Sequence, residues 1–96
     1  MSIRSILGSI KVHWGYTPAQ RILVALLEAK DTGLSVPELM KRAHVGSGSV
    51  YPILLSMEDS EIVESWWLPK QRFQRYRTRI YKLTQNGINS AEREKG

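Results

Sequence analysis

Apolar residues recur at helical spacing in the first half of the chain and at strand spacing in the second. Ile3, Ile6, Leu7, Ile10 and Trp14 form one stripe across residues 1–16, with Ser2 placed to cap it. Gly8 weakens that helix by about 1 kcal/mol relative to alanine, and Gly15 ends it. Ala19, Ile22, Leu23, Leu26 and Leu27 form a second stripe, opposite Gln20, Arg21, Glu28 and Lys30. Thr17-Pro18 starts this helix, because threonine accepts orphan amide hydrogens and proline at the first helical position loses nothing. Asp31-Thr32-Gly33 stops it.

A third, short helix opens on Ser35-x-x-Glu38, a capping box in which hydroxyl and carboxylate each satisfy a terminal amide. Val36, Leu39, Met40 and Ala43 mark its buried side, and His44 its end, facing the macrodipole rather than serving as a base. Val45-Gly46 is a turn. Ser47 or Ser49 caps a fourth helix whose apolar side is Val50, Ile53, Leu54 and Met57; Pro52 favours Ser49, since proline belongs in a first turn.

After Asp59-Ser60 the pattern changes. Ile62, Val63, Trp66, Trp67 and Leu68 are strand formers, Pro69 to Arg77 is a polar loop, and Thr78 to Leu83 returns as a strand with Tyr81 and Leu83 on one face. Trp66 and Trp67 alternate across their strand, so one is expected in the core and the other exposed or at an interface. Thr84 caps a last helix from Gln85, held by Ile88 and Ala91, and the charged tail from Glu92 frays.

These elements make one small domain, mainly α with a small β-hairpin: a winged helix-turn-helix at residues 17–96 with an extra N-terminal helix at residues 1–16. Ninety-six residues with 42% hydrophobic content support a modest core, so a partner subunit could matter. With no cysteine there is neither a disulfide framework nor a thiolate metal site. No apolar run spans a membrane, and the first sixteen residues lack a signal-peptide core, so a cytoplasmic location is expected.

Charge sharpens the picture. The net charge is +5, and no acid lies between Glu64 and Glu92. Six of the fourteen basic residues fall in the thirteen positions from Lys70 to Lys82. A localised basic stripe suits phosphate binding.

Catalytic chemistry has no foothold in this pattern. His13 and His44 lie in different segments without a spaced carboxylate partner. Metalloprotease, nucleophile-elbow and phosphate-loop motifs are absent, and Gly46-Ser47-Gly48-Ser49 lacks the lysine a phosphate loop needs. No enzyme activity, cofactor or metal is expected.

Duplex DNA is the expected partner. In a helix-turn-helix the first residues of the second helix enter the major groove while the first helix braces it. Ser47, Gly48, Ser49 and Tyr51 occupy that entrance: the serines suit phosphate or base edges, and Tyr51 suits phosphate or a thymine methyl. Lys41 and Arg42 add phosphate contacts from the preceding helix. Lys70, Arg72, Arg75 and Arg77 put cations on the wing, where arginine favours a minor groove. Against this stand blander readings: glycine and serine merely capping a core helix, a solvated loop, tryptophans that only pack. Phe73 and Tyr76 count against a purely solvating loop. A protein-interaction module without DNA binding, and a plasmid-partition or DNA-bridging protein, are the alternative functions.

The run Gly48-Ser49-Val50-Tyr51-Pro52-Ile53-Leu54, then Met57-Glu58, Ile62-Val63-Glu64-Ser65-Trp66, Tyr81-Lys82-Leu83-Thr84 and Gly87, resembles the PadR-like family of winged-helix transcriptional regulators. Ile22 to Leu27 is similar to its opening helix, so the resemblance runs from about Ala19 to Ile88. It implies a DNA-binding repressor, usually a homodimer on a pseudo-palindromic operator. Tyr51 and its preceding serines would lie on the recognition helix, and Lys70, Arg72 and Arg75 in the wing. A small-molecule inducer is compatible with the family, though no residue indicates one.

Two positions depart from the family. Glu61, or Ser60, stands where the family has glycine after the recognition helix. A left-handed backbone there would cost glutamate about 1 kcal/mol, so a different turn is expected. Few residues follow Gln85 to build the family's long C-terminal dimerisation helix. Ser2 to Trp14 is the expected substitute, packing across a two-fold axis.

Overall fold

The computed structural model describes residues 15–94. The N-terminal arm expected at residues 1–14 lies outside them. Helix α1 (Pro18–Glu28) opens as its sequence predicts. Thr17 Oγ1 accepts from the Gln20 amide at 3.1 Å, and Gln20 Oε1 accepts from the Thr17 amide at 2.9 Å. After α1, Gly33 turns the chain at φ 75°. A Cβ there would stand 2.7 Å from Ile80 Cγ2 and 2.8 Å from the Tyr81 carbonyl, so glycine is required twice over.

That close approach has a product the sequence pattern does not announce. Leu34 and Ser35 form β1, pairing antiparallel with Tyr81 and Ile80. Two residues are too short to show alternation. Ser35 then changes role and caps α2 (Val36–Ala43) in the expected capping box with Glu38. The Ser35 amide and hydroxyl donate to Glu38 Oε1 at 3.1 and 2.9 Å. The backbone bond chiefly, and the hydroxyl bond next, hold the Glu38 carboxyl below its ordinary value.

Helix α2 ends at His44, left-handed at φ 53° and exposed. Its last carbonyls are met from α1: Arg21 Nε donates to Ala43 O at 2.7 Å and Nη2 to His44 O at 3.4 Å, while Nη1 reaches Tyr16 O at 2.6 Å. The apolar stripe alone puts Arg21 on the solvent side. The structure half-buries it because orphan carbonyls at a helix end must find donors.

Helix α3 (Ser47–Asp59) starts earlier than Pro52 suggests. Gly46 is its N-cap, no side chain caps it, and neither Ser47 nor Ser49 does so. Pro52 therefore lies beyond the first turn and removes the donor to the Gly48 carbonyl. Gly48 is exposed, so water can meet that carbonyl.

The turn after α3 keeps the left-handed conformation despite lacking glycine, contrary to the altered turn expected there. Glu61 sits at φ 60°. Its amide donates to Glu58 O at 3.0 Å and the Ile62 amide to Met57 O at 2.8 Å, the paired bonds of a Schellman cap. Those two bonds, with Ile62 half-buried against the core, impose the backbone on whatever residue stands at 61.

Strand β2 (Val63–Trp67) and β3 (Arg79–Leu83) pair antiparallel from Val63–Leu83 to Trp67–Arg79, giving the sheet order β1-β3-β2. Helix α4 (Gln85–Glu94) follows, capped by Thr84 Oγ1 accepting from the Gly87 amide at 2.9 Å. Ile22 and Leu26 of α1, Leu34, Leu39, Val50, Leu54 and Leu83 form the fully buried centre of the domain's core. The fold is the expected winged helix-turn-helix, with one strand more than the hairpin.

Candidate nucleic-acid interface

Val50, Leu54 and Met57 bury one side of α3 against the core. Their periodicity turns Ser47, Gly48, Ser49, Tyr51, Pro52, Leu55 and Ser56 to solvent. Tyr51 is 56% exposed and Leu55 62%. The helix carries no cation, and its acids, Glu58 and Asp59, sit in the last turn. Lys41 and Arg42 are exposed in the last turn of α2, immediately before the turn into α3.

The wing is residues 68–78. Its base is closed by the Leu68 amide donating to Thr78 O at 2.8 Å, and its tip by the Gln71 amide donating to Gln74 Oε1 at 3.0 Å. Lys70, Arg72, Arg75 and Arg77 are all exposed. Phe73, 91% exposed, has the Arg72 guanidinium 5.5 Å from its ring centre, and Tyr76 is exposed as well.

Neither tryptophan enters the core, which corrects the expectation that one would. Trp66 is opposite Ile80, with its ring over Gly33, and stays 39% exposed. Trp67 shares a face with Val63 but sits at the wing end of β2 and is 49% exposed. The Arg79 guanidinium lies 4.8 Å from its ring centre and that of Arg77 6.0 Å. Strand alternation sets the face; whether helices reach that far along the strand sets burial.

Arg79, outside the set of cations expected at the interface, links β3 at the wing base to α3. It reaches Glu58 of α3 at 3.8 Å and lies 5.9 Å from the Tyr81 ring centre. Ser65 Oγ donates to the same Glu58 carboxylate at 3.0 Å. The pair is about one-third exposed, so it positions more than it stabilises.

Between the start of α2 (Ser35, Val36, Pro37), Tyr51 of α3 and the wing base lies a groove of about 440 Å³, whose lining also includes Trp67, Tyr76, Arg77, Arg79 and Tyr81. Tyr51 and Arg77, twenty-six residues apart in sequence, thus face one space. Lys41, Arg42, Ser47, Gly48, Ser49, Lys70, Arg72 and Arg75 lie outside it. Trp67, Tyr76 and Leu55 were not among the expected contact residues; for Leu55 the available signal was an apolar residue off the core stripe. Among the described residues no cluster of metal-ligating side chains exists, and no helix is long and apolar enough to cross a membrane.

A helix-turn-helix pair, α2 and α3, with a two-stranded wing beside it defines a winged-helix protein. Residues 22–93 match the transcriptional regulator PadR-like family, and the chain belongs to it. It is a transcriptional regulator by that membership, and the family is not one of enzymes.

Solved structures agree on the fold. A candidate DNA-binding protein from Ralstonia eutropha JMP134 is 20% identical with a TM-score of 0.63, covering 80% of this chain and 93% of its own. The circadian clock associated protein Pex from Anabaena is 15% identical at TM-score 0.63, over 81% of this chain and 73% of that one. NadR, solved in complex with 4-hydroxyphenylacetate, is 26% identical at TM-score 0.62, over 95% of this chain and 58% of that one. No curated protein matches the sequence.

Proposed function

We propose that this regulator is a cytoplasmic, sequence-specific repressor that binds duplex DNA as a homodimer. The start of α3 enters the major groove, and the wing follows phosphates or a minor groove. The observation that carries this reading is the shared groove: Tyr51 of α3 and Arg77 of the wing line one space, continued by an acid-free loop bearing Lys70, Arg72 and Arg75. Ser47, Gly48 and Ser49 bring backbone close to phosphates, and Lys41 and Arg42 extend the contact from α2. The absence of cations on α3 assigns charge neutralisation to its flanks and sequence reading to the helix itself.

Fluorescence anisotropy against random duplex and genomic fragments, repeated over a range of salt, tests the reading. Expected are tighter binding to a subset of fragments and a steep fall of affinity with salt. No duplex affinity at moderate salt would instead support the protein-interaction module, which exposed Trp66, Trp67, Phe73 and Tyr76 favour. Multimeric bridging of duplexes would support a partition role.

For pairing, residues 2–14 are the proposed dimerisation arm and residues 17–96 the DNA-binding unit. Ile6→Asp with Ile10→Asp should convert the dimer to monomer in sedimentation; an unchanged dimer would refute the arm.

A further inference from the structure

We propose that Tyr51 and Leu55 form a methyl-reading stripe, by which α3 selects thymine at two positions of each half-site. This rests on the duplex-DNA reading above and specifies what the helix recognises. Leu55 is 62% exposed although Val50, Leu54 and Met57, all at or below 8%, already anchor the helix. Its side chain therefore has no folding role that burial would reveal. Tyr51 stands four residues earlier, on the same face, and is also exposed. Pro52, exposed beside them, is a further apolar surface.

The chemistry of the remaining surface narrows the choice. From Ser47 to Met57 there is no arginine, lysine, asparagine, glutamine or histidine. The bidentate pairings that recognise guanine or adenine in the major groove need arginine, lysine, asparagine or glutamine, so α3 cannot make them. What α3 offers is serine hydroxyls, one phenol and apolar surface. The base feature that apolar surface recognises in the major groove is the thymine C5 methyl.

Spacing fixes the register. Four helical residues rise roughly 6 Å. Successive base pairs rise about 3.4 Å. A helix lying along the groove therefore sets Tyr51 and Leu55 about two base pairs apart. The stripe predicts two thymines at that separation, on either strand, in each half-site.

The test begins with selection of binding duplexes from a random pool by the full chain. Each thymine of the selected site is then replaced by deoxyuridine, which removes only the methyl. The expected loss is roughly fourfold per contacted methyl, the value of one buried methyl group. Cytosine at the same position should bind less well than 5-methylcytosine, which restores the methyl on a different base. Leu55→Ala should bind the unmodified site more weakly and abolish sensitivity to deoxyuridine at one of the two positions, with unfolding unchanged.

If the chain binds selected duplexes but deoxyuridine has no effect, the stripe is refuted and DNA binding stands. If no duplex is selected, both readings fall. If Leu55→Ala changes the sedimentation coefficient while deoxyuridine remains neutral, the stripe packs on a second copy of the chain, and the inference is overturned.

Discussion

The Ile62 carbonyl occupies the space where a side chain on Gly87 would begin. Thr84 makes the approach possible: its amide donates to Ile62 O at 2.9 Å, and its hydroxyl reaches Glu61 O at 2.6 Å and Ile62 O at 3.1 Å. Thr84 Oγ1 in turn accepts from the Gly87 amide at 2.9 Å. The Thr84-x-x-Gly87 spacing is thus a clasp between α4 and the entry to β2. Gly87→Ala should destabilise the fold by about 1–3 kcal/mol in urea unfolding, the range for forced overpacking. Gly48→Ala is the contrast. Its Cβ meets nothing, and the helix should gain about 0.5–1 kcal/mol.

Arg21 carries three backbone carbonyls from two other segments. Arg21→Ala should cost about 1.5–3 kcal/mol, the range for hydrogen bonds to a charged group. Lysine should restore only part, since it cannot fork across Ala43 and His44. Thermal unfolding of the three proteins checks the order.

Glu61 adopts a backbone that favours glycine. Glu61→Gly should raise stability by about 0.5–1 kcal/mol, the left-handed penalty less the entropy glycine loses on folding. A decrease would mean that the glutamate side chain contributes something beyond its backbone.

The Ser35–Glu38 cap gives a pH signature. Glu38 titrates below 4.5 in the folded chain, so its contribution is complete above that value and is lost as pH falls through the lowered folded value. Ser35→Ala should cost about 1 kcal/mol near neutrality. The gap between the two proteins should narrow below pH 4.5, as measured by denaturant midpoints across pH.

The wing should show itself in salt dependence. Arg72→Gln and Arg75→Gln should each lower the slope of log affinity against log salt by about 1, and weaken all sequences alike. Ser49→Ala or Tyr51→Ala should instead change which duplexes are preferred. Competition binding with selected and random duplexes separates the two effects.

The existence of the four helices between Pro18 and Glu94, the Ser35-x-x-Glu38 capping box and the cation-rich wing follow from the sequence alone. Each depends on neighbours three or four residues apart, or on alternation along a strand, and such rules need no knowledge of the rest of the chain. Tertiary structure decided the remainder. Leu34 and Ser35 became a strand because Gly33 lets them approach β3. Arg21 turned inward because α2 ends beside it. Pro52 went beyond the first turn, and Trp67 met arginines in place of a core. Tyr51 and Arg77 share a groove because core packing sets α3 beside the sheet, where Glu58 meets Arg79. Those outcomes turn on contacts between residues far apart in sequence, which local periodicity does not encode.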